Sequence, residues 1–129
     1  MFTLAQIHAA HSKVKSGADF PAYIAELQSL GVAYYHLYVA DGRAEYFAAD
    51  GSSLSSATVY KTLTISPIAS TTKLQHALKI HQGGETDYFT FCQQAADAGV
   101  DYWITDIINM QVIYKDSTGN DMITELIPA

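Results

Sequence analysis

One cysteine, three prolines and a charged fraction of only 16% are the scarcities that narrow this sequence first. Cys92 has no second cysteine to pair with, so no internal disulfide can form and the fold must rest on its core. Basic residues are also few, seven Lys and Arg against thirteen Asp and Glu, for a net charge of -6. A phosphate backbone is bound by clustered positive charge, so nucleic acid is not an expected partner. No apolar run approaches the roughly 20 residues of a membrane-spanning helix, and no membrane partner is expected. The N-terminus shows no basic stretch followed by an apolar one, which with the lone cysteine gives a cytoplasmic location as the expectation.

What is present is a hydrophobic fraction of 49% over 129 residues, enough for one domain spanning 1–129 that removes about two-thirds of its unfolded surface from water. The chain also repeats itself. The stretch from Thr86 to Trp103 matches an earlier one when each residue is set beside the residue 68 positions before it. Asp87 falls on Asp19, Phe91 on Tyr23, Gly99 on Gly31, Val100 on Val32, Tyr102 on Tyr34, Trp103 on Tyr35, Ile107 on Val39, Tyr114 on Tyr46 and Gly119 on Gly51. Repeat one covers about 1–68 and repeat two about 69–129.

Each repeat reads as helix, helix, strand, strand, strand. Leu4, Ile7, Ala10, His11 and Val14 form one stripe of a helix over Thr3 to Lys15, with Gly17 as its stop. Asp19 precedes Phe20-Pro21 as the cap of a second helix that ends at Gly31. Val32 to Val39 and Arg43 to Ala49 read as strands joined by a two-residue turn at Asp41-Gly42. After a turn at Asp50 to Ser53, the alternation of Thr58 to Ile65 predicts a third strand, stopped by Ser66-Pro67.

In the second repeat, Ser70-Thr71-Thr72 opens a helix carrying Leu74, Ala77, Leu78 and His81 on one side and ending at Gly83-Gly84. Thr86 or Asp87 caps the next helix, which turns Phe89, Cys92, Ala96 and either Tyr88 or Phe91 inward until Gly99. Strands follow at Val100 to Ile108, Gln111 to Lys115 and Met122 to Ile127, the last ended by Pro128. The expected fold is therefore α+β, an internal duplication giving a mainly antiparallel six-stranded sheet with four helices.

Function is far less marked. Lys79, His81, Gln82, Thr86, Asp87, Tyr88 and Cys92 gather around the joint of the third and fourth helices. Gly83-Gly84 lets backbone approach a ligand there, a helix N-terminus offers N–H groups, and Lys79 and His81 add positive charge, which together suit a small anionic ligand. The plainer reading of the same residues is a helix joint with its cap. Cys92 falls where the first repeat has Ile24, as a buried hydrophobe would. The five histidines, among them His8 and His76 at equivalent positions, show no metal-ligand spacing, so no metal site is expected and no cofactor signature emerges. Tyr34, Tyr38, Tyr46 and Tyr102 suggest a sheet face that helices do not cover, either a homodimer surface, which we favour, or a shallow binding surface.

The pattern of Val39-Ala40-Asp41-Gly42, His81-Gln82, Thr86-Asp87-Tyr88, Phe91-Cys92 and Ala98-Gly99-Val100, extended by Trp103 and Tyr114, resembles a bacterial family of unknown function sometimes labelled phage envelope protein. That resemblance implies a bacterial or prophage origin and brings no activity, cofactor or catalytic residue. The leading expectation is an interaction or small-ligand-binding domain. The alternative is a small hydrolytic or metal-dependent enzyme drawing on His76, His81, Asp87, Tyr88 and Cys92.

Overall fold

The computed structural model of the protein describes residues 2–14 and 17–127. Six antiparallel strands form one sheet in the order β3-β2-β1-β4-β5-β6, with four helices on one face. In chain order these are α1 (Leu4–His11), α2 (Phe20–Leu30), β1 (Val32–Tyr38), β2 (Ala44–Ala48), β3 (Ser53–Ser55), α3 (Thr71–Gln82), α4 (Tyr88–Asp97), β4 (Val100–Asp106), β5 (Gln111–Asp116) and β6 (Asp121–Leu126). The expected α+β class, four helices and six-stranded antiparallel sheet are all present.

Helix α1 starts as a capping box in which the Thr3 hydroxyl accepts from the Gln6 N–H while the Gln6 side chain accepts from the Thr3 N–H. It ends earlier than its apolar stripe suggests. The Ser12 hydroxyl donates to the Ala9 carbonyl, and the Lys13 and Val14 N–H groups bond three residues back, which tightens the last turn and stops it. The expected end at Lys15 lies outside the described residues, as does Pro128. Helix α2 buries Tyr23, Ile24 and Leu27 and closes on Gly31 at φ +99°.

One hydrophobic core lies between the helices and the sheet. Ile7, Ile24, Leu27, Leu74, Cys92 and Ala95 from the helices meet Tyr35, Leu37, Trp103, Thr105, Val112 and Tyr114 from the strands. Along β1, β4 and β5 the residues alternate between buried and half-buried, so one sheet face is covered and the other is open.

Strand pairing follows the 68-residue spacing. In the central β1–β4 ladder His36 lies opposite Ile104, its own counterpart, and Tyr34 lies opposite Asp106, the counterpart of Tyr38. Bulges fall between Val32 and Tyr34 and again between Val100 and Tyr102. Met110, at φ +52°, holds the left-handed conformation that Gly42 adopts in the first hairpin at φ +73°.

Two expectations about the first repeat need correction. The β1–β2 loop has four residues, not two, because Tyr38 and Arg43 close it through the Tyr38 N–H and the Arg43 carbonyl. The third strand is Ser53–Ser55, and Thr58 to Ile65 is no strand. That segment spends its backbone bonds on neighbouring turns, with Val59 N–H donating to Asp41 and Leu63 N–H to Ala40. Its alternation holds only at the end, since Tyr60, Leu63 and Ile65 pack against the core while Val59, Lys61, Thr62 and Thr64 face water. Residues 56–70 thus form a strap across the end of the helix layer rather than a ladder.

Candidate functional site

Around the α3–α4 joint the seven expected site residues separate into three groups. Ser70 caps α3 by accepting the Lys73 N–H, and the helix runs to a turn in which Gly84 N–H returns to the His81 carbonyl and Glu85 N–H to that of Ile80. His81 is half-buried, with Nδ1 3.1 Å from the Thr86 carbonyl oxygen and 3.2 Å from its hydroxyl, and its ring stacks on Phe91 at 4.7 Å. Asp87 caps α4, accepting the Thr90 N–H at 2.7 Å. Bonds from the Thr90 side chain and backbone hold its carboxyl below the ordinary range. The amino end of α4 therefore already carries a negative charge of its own. These three residues close the joint.

Lys79 and Gln82, one helical turn apart, face elsewhere. With Gln75 and Leu78 of α3 and Ile123 and Glu125 of β6 they line a cleft of about 350 Å³ at the sheet edge. Gln82 spans it, its Nε2 donating to both Glu125 carboxylate oxygens at 3.1 and 3.2 Å.

Tyr88 and Cys92 form the third group, inside the protein. Cys92 is fully buried and burial pushes its thiol up, so it is held protonated at neutral pH. Its polar neighbours are the hydroxyls of Tyr60 and Tyr88, both also raised, first by desolvation. Tyr60 reaches in from the strap and donates to the Val39 carbonyl at 2.6 Å. Tyr88 is 39% exposed as a residue, yet its hydroxyl is enclosed beside the thiol. Phe89 departs from its expected inward orientation: it is 42% exposed at the helix margin, edge-on to Tyr60, while Phe91, Ala95 and Ala96 take the core.

The five residues of the enzyme alternative thus do not converge on one site, although Tyr88 and Cys92 touch. His76 is exposed on α3, His81 serves Thr86, Asp87 serves the helix cap, and Cys92 sits between tyrosines without a base. Among the described residues no group of three His, Cys, Asp or Glu side chains is placed to hold a metal ion.

The open sheet face carries a connected array of aromatic residues. Tyr34 stacks on Phe47 with ring centroids 4.5 Å apart, and His36 bridges Phe47 at 5.2 Å to Tyr102 at 5.8 Å. Tyr38 packs against Tyr102 and takes the Arg43 guanidinium over its ring at 4.2 Å. Ile104 and Ile113 continue the surface across β4 and β5. Tyr46 does not belong here. It lies opposite Tyr35 in the β1–β2 register and is 8% exposed on the covered face, and Phe47 stands on the open face in its place. Grouping residues by being tyrosine missed Phe47, Ile104 and Ile113; strand alternation would have found them.

Among curated proteins, an "Uncharacterized protein YcgX" of Escherichia coli (strain K12) is 25% identical over 95 residues, which is 74% of this chain and 71% of the relative. Residues 8–126 match the family model described as "Protein of unknown function (DUF1398)". The span takes in all six strands and all but the start of α1, and the chain therefore belongs to that family.

Proposed function

We propose that this protein is a non-enzymatic interaction domain, a single unit that arose by duplication and acts as a homodimer in the cytoplasm, joined through its open sheet face. The observation that carries the reading is the aromatic and aliphatic array of Tyr34, His36, Tyr38, Phe47, Tyr102, Ile104 and Ile113, on a face that no helix covers among the described residues. Six strands at roughly 4.8 Å spacing and about 20 Å of strand length present roughly 500 Å² of flat sheet. Side chains and rim turns add to that, which approaches the ~800 Å² each partner contributes to a stable complex.

Charge favours one orientation. A twofold axis along the strands lays β2 of one copy over β5 of the other, so Glu45 faces the Ile113 level of β5, about two residues from Lys115 of the partner, which already pairs with Asp121. An in-plane axis across the strands would set β2 on β2 and Glu45 near Glu45, which is unfavourable.

Sedimentation velocity across a concentration series tests the reading. The wild type is expected to sediment as a dimer and Ile104→Glu as a folded monomer, whereas Tyr46→Phe, altered on the covered face, leaves the dimer intact. A wild type that stays monomeric at high micromolar concentration, or an Ile104→Glu dimer, overturns it.

A further inference from the structure

We propose that the cleft between α3 and β6 is a second binding site, which takes an extended peptide as a seventh strand and holds an acidic side chain of that peptide on Lys79. This inference does not depend on the dimer.

Strand β6 is an outer strand of the sheet, six residues long and free of proline. Outer strands of that length commonly carry a device that blocks pairing. Here the two acids of the strand are engaged, Asp121 by Lys115 and Glu125 by Gln82. The Ile127 N–H donates to the Met110 carbonyl at 2.8 Å. By the alternation of an antiparallel ladder, Glu125 and Ile123 then bond to β5, while Thr124 and Leu126 turn their N–H and C=O groups outward. These outward groups are what an incoming strand would pair with.

The cleft supplies side-chain selectivity. Leu78 and Ile123 give it an apolar floor, and Gln75, Lys79, Gln82 and Glu125 give it a polar rim. Its volume of about 350 Å³ is at the small end for ligand clefts and suits alternate side chains of a peptide rather than a large cofactor. A helix beside an exposed sheet edge is the arrangement in which strand addition gives affinity through main-chain bonds and specificity through a cleft. Glu125 keeps its charge but has both oxygens occupied by Gln82, whereas the Lys79 ammonium has no bonded partner among the described residues, so the peptide group that fits Lys79 is an acidic one. Leu126, 81% exposed at the same edge, would gain a neighbour on the added strand.

A phage-displayed random octapeptide library panned on the intact protein, with fluorescence anisotropy on the selected synthetic peptides, tests this. Expected winners alternate β-branched residues and carry an acid at one cleft-facing position. Lys79→Glu should weaken them by roughly tenfold or more. Thr124→Pro removes an outward donor and should abolish binding. Should that variant fail to fold, N-methylation along the peptide gives the same information, because it must disrupt binding at alternate residues only. No enrichment, winners indifferent to Lys79→Glu, or tolerance of N-methylation at every residue overturns the proposal. A shift in sedimentation of the free protein with Thr124→Pro also overturns it, in favour of a second copy at this edge. Ile104→Glu should bind the same peptides unchanged, which separates failure here from failure of the dimer.

Discussion

The two halves of the molecule carry the same order of elements and finish them differently. After β2, the first half spends only three residues, Ser53–Ser55, on its last strand and then sends residues 56–70 across the helix layer. There Ser66 N–H bonds to Ala96 and Ser70 N–H to Ala98, so the strap grips the end of α4. The second half gives six residues to its last strand and leaves a cleft beside it. One architecture thus serves two ends, sealing the core at one side and exposing a strand at the other. The difference shows in the paired glycines. A side chain added at Gly31 meets nothing within 4 Å, while one at Gly99 would lie 2.8 Å from the Ala69 Cα and 2.9 Å from the Ile68 carbonyl oxygen.

That contrast can be tested most strongly at those two positions. Both glycines hold positive φ, so alanine at either costs about 1–2 kcal/mol for the backbone. At Gly99 the clash with the strap adds about 1–3 kcal/mol more. Urea denaturation should therefore rank Gly99→Ala well below Gly31→Ala, and equal losses would mean the strap yields freely. Next in size is Tyr60→Phe, which deletes the bond to Val39 and leaves that carbonyl unpaired. A loss of about 1 kcal/mol is expected, and an unchanged midpoint would show that the strap is held by its backbone bonds alone. The smallest effect concerns His36, whose counterpart Ile104 cannot titrate. Burial, opposed by the nearby Glu45 charge, lowers its pKa, so the folded state prefers the neutral ring. An unfolded histidine takes up its proton near pH 6.5, so this contribution to stability is present above that pH and is lost as pH falls from there through the lowered pKa of the folded state. His36→Gln should flatten the slope of stability between about pH 7 and 5; an unaltered slope refutes the assignment.

The helix pairs and the strands β1, β2, β4 and β5 were legible because their signals are local. Gly31 and Gly99 end helices by conformation, Asp87 caps by proximity, and Val32 to Tyr38 pleats by composition. The strap was not, because Thr58 to Ile65 alternates like a strand while its bonds go to Asp41 and Ala40, and periodicity records which side chains are covered without recording what the backbone pairs with. Tyr46 was legible and misplaced: a two-residue or a four-residue loop alike puts it on the face of Tyr35 and Leu37. At the α3–α4 joint, adjacency in sequence misled. Lys79 and Gln82 share a helix face, but His81 lies about 100° from Gln82 around the helix and belongs to the turn. Glu125, which completes the cleft, is 43 residues from Gln82 and left no local trace.

With one cysteine in the chain, and that one fully enclosed beneath Tyr60, the protein carries its own stopwatch. A thiol reagent can reach the sulfur only during an opening, and the ratio of its rate to that of a free thiol gives the population of the open form when reclosing is fast. If that population exceeds the globally unfolded fraction, the strap lifts as a unit of its own while the sheet stays formed. If the two agree, strap and core melt together, and residues 56–70 belong to the foundation of the fold despite having neither helix nor strand.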